Sequence, residues 1–116
     1  MKPKPNVKNL LRAAIRHYDR MIENPDGKEE PFMKHCPLCK RFRPSCSGCP
    51  VSEANGFTGC SYTPYEDVSG AFYEYCSAKL MADTKAFVAS YRRSYIAALK
   101  KERKFLQRLL LEKGKR

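Results

Sequence analysis

Residues 36–50, CPLCKRFRPSCSGCP, contain two C-x-x-C motifs that are separated by six residues. Each motif lets two thiolates from one tight turn reach the same ion, and two motifs together supply the four soft ligands of a tetrahedral zinc site. The surrounding segment, 32–62, is rich in proline, glycine and serine and shows no strong hydrophobic period. We therefore predict an irregular metal knuckle that is held by one structural zinc ion. Binding of the ion supplies folding energy to this segment, in which little core is expected.

The candidate ligands outnumber the four that one zinc ion needs: Cys36, Cys39, Cys46, Cys49 and Cys60. The sequence leaves open whether Cys46 or Cys60 completes the set, and His35 is a further substitute. An iron–sulfur cluster is a weaker alternative, because the C-x2-C-x2-C run of ferredoxins is absent although Cys49 precedes a proline. Thiol redox chemistry and disulfides rank lower. A redox motif needs a strand–helix context, which is missing here. The basic N-terminus lacks the apolar stretch of a secretory signal, so we expect a reducing cytoplasm.

Helical periodicity lies on both sides of the cysteine segment, so we predict a mainly α fold in a single domain, 1–116. Asn6 is a good N-cap for a helix over 7–23, in which apolar residues recur at helical spacing. Asn24-Pro25-Asp26-Gly27 then ends this helix.

A second helical region follows the knuckle. Thr63-Pro64-Tyr65-Glu66 has the pattern of a capping box and predicts a short helix over 64–69, which Ser69-Gly70 ends or kinks. A long basic helix is predicted over 71–112, with a break near Asp83-Thr84 as the alternative. Cys76 falls on its apolar side and is best explained as a small buried hydrophobe.

The net charge of +11 is concentrated at the two ends of the chain. Residues 1–22 carry a net +5 and residues 100–116 a net +6, whereas 23–99 balance nine basic against nine acidic groups. Such a distribution is typical of a surface that binds a polyanion. If the terminal helices pack side by side, their basic faces merge into one surface for a phosphate backbone.

We therefore predict binding to DNA or RNA with weak sequence preference. The candidate contacts are Lys8, Arg12, Arg16, Lys40, Arg41, Arg43, Arg92, Arg93, Lys100, Lys101, Arg103, Lys104 and Arg108. Tyrosines at 62, 65, 73, 75, 91 and 95 are candidates for stacking on bases, although those at helical spacing are better explained as core. The bland explanation of the cations is a solvated helix surface.

The rival hypothesis is a protein-interaction module. Phe105-Leu106 and Leu109-Leu110-Leu111 provide more apolar surface than one narrow seam needs, which suits a homodimeric coiled coil or docking in the groove of a host protein. The two hypotheses differ in salt dependence, because only polyanion binding weakens steeply as salt rises.

No catalytic constellation is present in the sequence. The two histidines, His17 and His35, are too few for most histidine-based hydrolytic sites, and His17 is interpreted as a solvated surface group. Glu66 and Asp67 are explained as first-turn helix residues that the dipole favours. We predict that the protein is not an enzyme. No apolar run of 18 residues exists, so we expect no membrane partner.

The cysteine spacing resembles a pattern in small proteins of bacteriophages and bacterial prophages that have no assigned activity. The matching residues are Cys36-Pro37-Leu38-Cys39, Cys46-Ser47-Gly48-Cys49-Pro50-Val51, Gly59-Cys60 and Thr63-Pro64-Tyr65. The resemblance covers about a quarter of the chain and includes Cys60, which favours Cys60 as a ligand. It implies a phage context in a bacterial host cell, where small proteins commonly bind nucleic acid or interfere with a host factor.

Overall fold

The computed structural model describes residues 6–31, 37–38, 49–51, 64–81 and 84–114. This described part is mainly helical, as predicted, and contains no strand. Its long helices are α1 (Val7–Glu23), α2 (Tyr65–Leu80) and α3 (Lys85–Gly114). Most of the predicted knuckle, 32–62, lies outside the described residues.

Helix α1 has the bounds that the sequence predicted, because its capping and its apolar period agree. The Asn6 side chain accepts a hydrogen bond from the backbone N–H of Asn9 at 3.1 Å, which satisfies one of the unpaired donors of the first turn. At the other end, the N–H of Asn24 donates to the carbonyl of Arg20 at 3.0 Å. Leu11 and Met21 lie on the buried face.

Helix α2 corrects the prediction of a short helix over 64–69 that ends or kinks at Ser69-Gly70. It continues without interruption through Gly70 to Leu80. A glycine inside a helix costs only about 1 kcal/mol. Burial of Val68 before it and Tyr75 after it stabilises the continuous helix by more than that, since each fully buried side chain contributes about 1.5–3 kcal/mol.

The predicted long helix over 71–112 is divided, close to the break that the sequence offered as an alternative. Helix α2 ends at Leu80, and the N–H of Met81 donates to the carbonyl of Ser77 at 2.9 Å. Thr84 then caps α3, because its hydroxyl accepts from the N–H of Phe87 at 3.4 Å. The short connection makes α2 and α3 an antiparallel pair.

Helix α3 is the centre of the packing, and Tyr95 is the residue where the helices meet. The Tyr95 side chain is fully buried. Its ring lies 5.4 Å from that of Phe72 and stacks 6.0 Å from that of Tyr75, measured between centroids. Its hydroxyl donates to the sulfur of Met21 in α1 at 3.9 Å. Tyr95 therefore joins α3 to both other helices.

Helix α1 runs antiparallel to α3. Met21 contacts Tyr95, whereas Asp19, earlier in α1, pairs with Arg103, later in α3. The first turns of α1 therefore lie towards the C-terminal end of α3. The 30 residues of α3 extend about 45 Å, which accounts for most of the 54 Å length of the molecule.

The described residues of the cysteine segment take part in the core. Leu38, which lies inside the first C-x-x-C motif, is buried in the same hydrophobic cluster as Cys49 and Val51. These three side chains therefore belong to the core that the helices form. Within the described ranges, no helix is long and apolar enough to cross a membrane.

We expect Gly70→Ala to stabilise the protein by about 0.5–1 kcal/mol, because alanine restricts the unfolded chain and favours the helix. A Cβ added at Gly70 meets no atom within 4 Å, so no steric cost offsets this gain. The measurement is the free energy of unfolding in urea. The reciprocal control, Ala97→Gly on an exposed face of α3, should lose a similar amount. A loss of stability in Gly70→Ala would show that the helix does not continue through this position.

Candidate nucleic-acid interface

Three predicted contacts form a row on α1. Lys8, Arg12 and Arg16 are all exposed and follow one another at four-residue intervals, so they lie on one side of the helix. Arg12 is oriented by Asn9, because its guanidinium donates to the Asn9 side-chain oxygen at 2.8 Å. We call these three residues the α1 row.

A second row with the same spacing lies on α3. Lys100, Lys104 and Arg108 are exposed at four-residue intervals on the side that faces away from Tyr95 and Leu106. None of the three forms an ion pair with another described residue. We call them the α3 row. Helix α3 contains nine basic and two acidic residues, a net +7, and one of the two acids, Glu102, is buried.

An ion pair joins helix α1 to helix α3. The Arg103 guanidinium donates to Asp19 at 2.9 Å. Asp19 lies three residues after Arg16 in α1, and Arg103 lies between Lys100 and Lys104 in α3, so the pair joins the two helices at positions close in sequence to both rows.

Two of the predicted nucleic-acid contacts form ion pairs within the chain and do not belong to either row. Arg103 binds Asp19, as described, and Arg92 lies 3.7 Å from a carboxylate oxygen of Asp26. Both arginines hold elements together, and these pairings could not be predicted because the partners are distant in the chain. Their charges are partly compensated.

Asp26 is the centre of a larger polar cluster beyond the end of α1. Its carboxylate accepts from the Tyr75 hydroxyl at 2.6 Å and from the Lys79 ammonium at 3.0 Å. The ammonium also lies 4.2 Å from the centroid of the Tyr75 ring, a cation–π distance. The hydrogen bond from Tyr75, assisted by the charges of Lys79 and Arg92, lowers the pKa of Asp26. Burial and the Asp26 carboxylate raise the pKa of Tyr75 to about 12.

The remaining two predicted contacts on α3 lie apart from the rows. Arg93 is exposed nearer the start of the helix. Lys101 lines an open groove between α2 and α3, together with Glu66, Asp67 and Glu74. Helix α2 has three acidic residues and one basic residue, so its charge is opposite to that of α3. The cations that face away from α2 are the ones suited to a polyanion.

The interpretation of His17 as a solvated surface group is wrong. The side chain is only 1% exposed, and its Nδ1 lies 2.8 Å from Glu29 Oε1. Arg20 donates to the same carboxylate through Nε at 2.6 Å and through its guanidinium at 3.0 Å. The hydrogen bonds from Arg20, then the one with His17, lower the pKa of Glu29 to about 2. This cluster fixes the loop after α1 against the helix and leaves His17 inaccessible to a substrate.

The other sequence-predicted site residues are only partly described. Cys36, Cys39, Cys46 and Cys60 lie outside the described residues, as do the basic positions 40, 41 and 43. Cys49 is described and lies in the hydrophobic core. The described part of the chain includes two of the six cysteines, and within it no three metal-ligating side chains come together. Cys76, expected to be buried, is partly exposed.

The tyrosines are mostly unsuited to stacking on bases. Tyr75 and Tyr95 are buried, while Tyr65 and Tyr91 are partly buried. The hydroxyl of Tyr65 donates to the carbonyl of Pro31 at 2.6 Å, a structural role. Tyr73 is exposed on α2, which is the acidic helix, and position 62 lies outside the described residues.

Exposed apolar side chains collect around the turn between α2 and α3. Leu80, Met81 and Phe87 are 87%, 76% and 61% exposed. Leu80 and Phe87 belong to a series of apolar residues that recur through 71–111, yet neither is buried. The reason is the break between the helices, which ends the regular period that relates these positions. Nothing among the described residues covers this turn.

Comparisons with models of known protein families, with curated proteins and with solved structures give no match for this chain. The resemblance of the cysteine spacing to small phage proteins therefore stays a prediction.

We expect Glu29 to make the stability of the protein sensitive to acid. Because its folded-state pKa of about 2 lies below the ordinary value of 4.5, the carboxylate stabilises the fold above pH 4.5. This contribution is lost as the pH falls from 4.5 towards 2. The free energy of unfolding of Glu29→Gln should therefore be lower than that of the unmodified chain at pH 7, and the gap should close over this window. The neighbouring Glu30→Gln is the control, since Glu30 forms no ion pair with another described residue. A gap that stays constant down to pH 2 would contradict the assignment.

Proposed function

We propose that this protein binds nucleic acid without catalysis and that the α1 row and the α3 row supply contacts to the phosphate backbone. The observation that carries the proposal is the exposure of all six cations, Lys8, Arg12 and Arg16 on α1 and Lys100, Lys104 and Arg108 on α3. Lysine and arginine release condensed counterions when they neutralise phosphates, and this supplies affinity that does not depend on base sequence.

The intrachain ion pairs support this assignment because they engage arginines that lie outside the two rows. Asp19 and Asp26 engage Arg103 and Arg92, which lie beside the interhelical contacts. Neither row receives such a partner from the described residues. An ordinary solvated helix carries acids spaced to pair with its bases. The exposed acid of α3, Glu112, has this spacing only from Arg108, and no acid lies three or four residues from Lys100 or Lys104. Each row therefore carries like charge, which favours the binding of a polyanion.

The absence of catalysis is part of the proposal and is supported by the burial of His17. General acid–base catalysis requires the group to reach a substrate proton. His17 is enclosed and is committed to Glu29.

The alternative, a protein-interaction module that uses the end of α3, is less well supported by the packing. Leu106 and Leu109 are buried, and Phe105 and Leu110 pack partly buried against the same core. Of the apolar residues that suggested a coiled coil, Leu111 is the one left largely exposed. The surplus apolar surface is thus mostly satisfied within the chain. The alternative would make the protein a phage inhibitor of a host or defence protein.

We propose further that one zinc ion holds the cysteine segment, with four ligands drawn from Cys36, Cys39, Cys46, Cys49 and Cys60. The support is the burial of Leu38, inside the first motif, and Cys49, the last residue of the second, in one hydrophobic cluster. Because Leu38 and Cys49 share one core cluster, a single ion that takes ligands from both motifs is favoured. A site of thiolates fits a reducing compartment, the cytoplasm of a bacterial host.

We expect Lys100→Gln/Lys104→Gln to weaken binding to several unrelated DNA and RNA sequences by a similar factor, because phosphate contacts carry no sequence information. The slope of log affinity against log salt should fall in magnitude by about 1.8, since each neutralised phosphate contributes about 0.9. The matched control is Lys28→Gln/Lys85→Gln, which removes two exposed lysines outside both rows. The measurement is binding by fluorescence anisotropy over a salt series. Equal affinities for the two double variants would refute the proposed surface.

We expect one equivalent of zinc per chain in protein that is purified without chelators or metal-affinity resin. Cys36→Ser should abolish the zinc, and because Leu38 connects the motif to the core, it should also destabilise the whole fold. Cys76→Ser, on α2 and outside the cysteine segment, is the control and should keep its zinc. Elemental analysis and thermal unfolding are the readouts. Full zinc content in Cys36→Ser and in Cys49→Ser would rule out the proposed ligand set, and a brown protein containing iron would replace zinc by an iron–sulfur cluster.

A further inference from the structure

We infer that two copies of this chain associate end to end through the turn between α2 and α3. The residues that carry the contact are Leu80, Met81 and Phe87, all exposed, which we call the apolar turn. The partner is a second copy of the chain, with the two turns facing each other about a two-fold axis. This inference does not depend on the binding of nucleic acid, so the two proposals can fail separately.

The apolar turn gathers most of the large apolar side chains that the described residues expose. Tyr73 is also more than half exposed. It lies on the same side of α2 as Leu80, because seven residues complete about two turns of a helix. The other large exposed apolar side chain among the described residues is Leu111, at the far end of α3. A single exposed apolar residue is ordinary, whereas a group of them marks a surface that contacts another molecule.

The apolar turn lies at the end of the molecule that is remote from both rows of cations. The α3 row begins 13 residues after Phe87, which is about 20 Å along the helix. Helix α1 runs antiparallel to α3, with Asp19 in contact with Arg103. The α1 row precedes Asp19 in the chain, so it lies towards the C-terminal end of α3. One end of the molecule is therefore strongly cationic, and the other is apolar.

The charged groups close to the apolar turn are nearly balanced. Residues 80–87 contain one acid, Asp83, and one base, Lys85. Lys79 and Arg92, which lie on either side of this stretch, both pair with Asp26. A second copy that approaches this end of the molecule meets little net charge.

This arrangement of charge selects the turn as the site of self-association in a chain of net charge +11. When two turns meet end to end, the α3 rows of the two copies are about 40 Å apart. That distance is several times the Debye length of about 8 Å at physiological ionic strength, so their repulsion is largely screened. A coiled coil between the C-terminal halves of α3 would instead bring the two α3 rows together. Charge therefore favours the turn over the leucine-rich end of α3.

The small size of the apolar turn makes the dimer weak and reversible. A standard stable interface buries about 800 Å² on each partner, from about 20–30 residues. The three residues of the turn and Tyr73 supply only a fraction of this area. The dimer is about twice as long as the 54 Å monomer, and its two cationic ends point in opposite directions.

The test is sedimentation velocity of the full chain, freed of copurified nucleic acid, over a range of protein concentrations at physiological ionic strength. Two variants remove apolar side chains from the turn without changing the net charge, Leu80→Gln/Met81→Gln and Phe87→Gln. The matched control is Leu111→Gln, at the other end of α3, where the leucine is also largely exposed. Glutamine is nearly as good a helix former as leucine, and circular dichroism checks that all the variants are folded.

We expect the unmodified chain and Leu111→Gln to show the same monomer–dimer equilibrium. The dimer dissociation constant of each turn variant should rise by more than about tenfold, because every substitution removes its apolar side chain from both copies of a two-fold interface.

An unmodified chain that stays monomeric at every concentration would overturn the inference. A dimer that both turn variants keep and Leu111→Gln loses would overturn it in favour of a coiled coil along α3. The same proteins are also mixed with vesicles of phosphatidylglycerol and phosphatidylcholine. A monomeric chain that binds these vesicles, and loses the binding in the turn variants, would assign the turn to an anionic lipid surface instead of a second copy.

Discussion

Burial of the Tyr95 ring is the interaction on which the described architecture depends. It places Phe72 and Tyr75 of α2 on one side and Met21 of α1 on the other. Burial raises the pKa of Tyr95, so the ring stays neutral at any ordinary pH. Complete burial of an aromatic side chain contributes about 1.5–3 kcal/mol. Because one face of α3 is committed to this core, its charged residues are left on the opposite face, and the α3 row is a consequence of the packing.

The sequence predicted those features that depend on neighbouring residues. Asn6 and the apolar period of residues 7–23 act locally, and they specify α1 correctly. Thr84 is a good cap, and the break near it was recognised as an alternative. Gly70 was misjudged, because a local cost of about 1 kcal/mol is outweighed by burial that only the tertiary structure reveals.

The positive charge of the candidate site was predictable from the sequence, but which cations remain unpaired within the fold was not. Clustering of lysine and arginine near both termini is visible in the sequence, and the four-residue spacing of each row can be read from it. Which cations are compensated within the fold depends on partners far away in the chain, such as Asp19 for Arg103 and Asp26 for Arg92. His17 was misassigned for the same reason, since Glu29 lies in the loop beyond the helix. Pairing across elements carries no local signal.

The exposed turn of Leu80, Met81 and Phe87 and the α3 row stand at opposite ends of one rigid helix, and they respond to salt in opposite ways. At low ionic strength, the net charge of +11 keeps copies of the chain apart. Added salt screens that repulsion together with the attraction to phosphate, but it does not weaken contact between apolar side chains. The high salt that dissociates a polyanion from this protein is thus also the condition under which the protein is least protected from self-association. Salt concentration therefore governs both the self-association of the molecule and its affinity for a charged ligand.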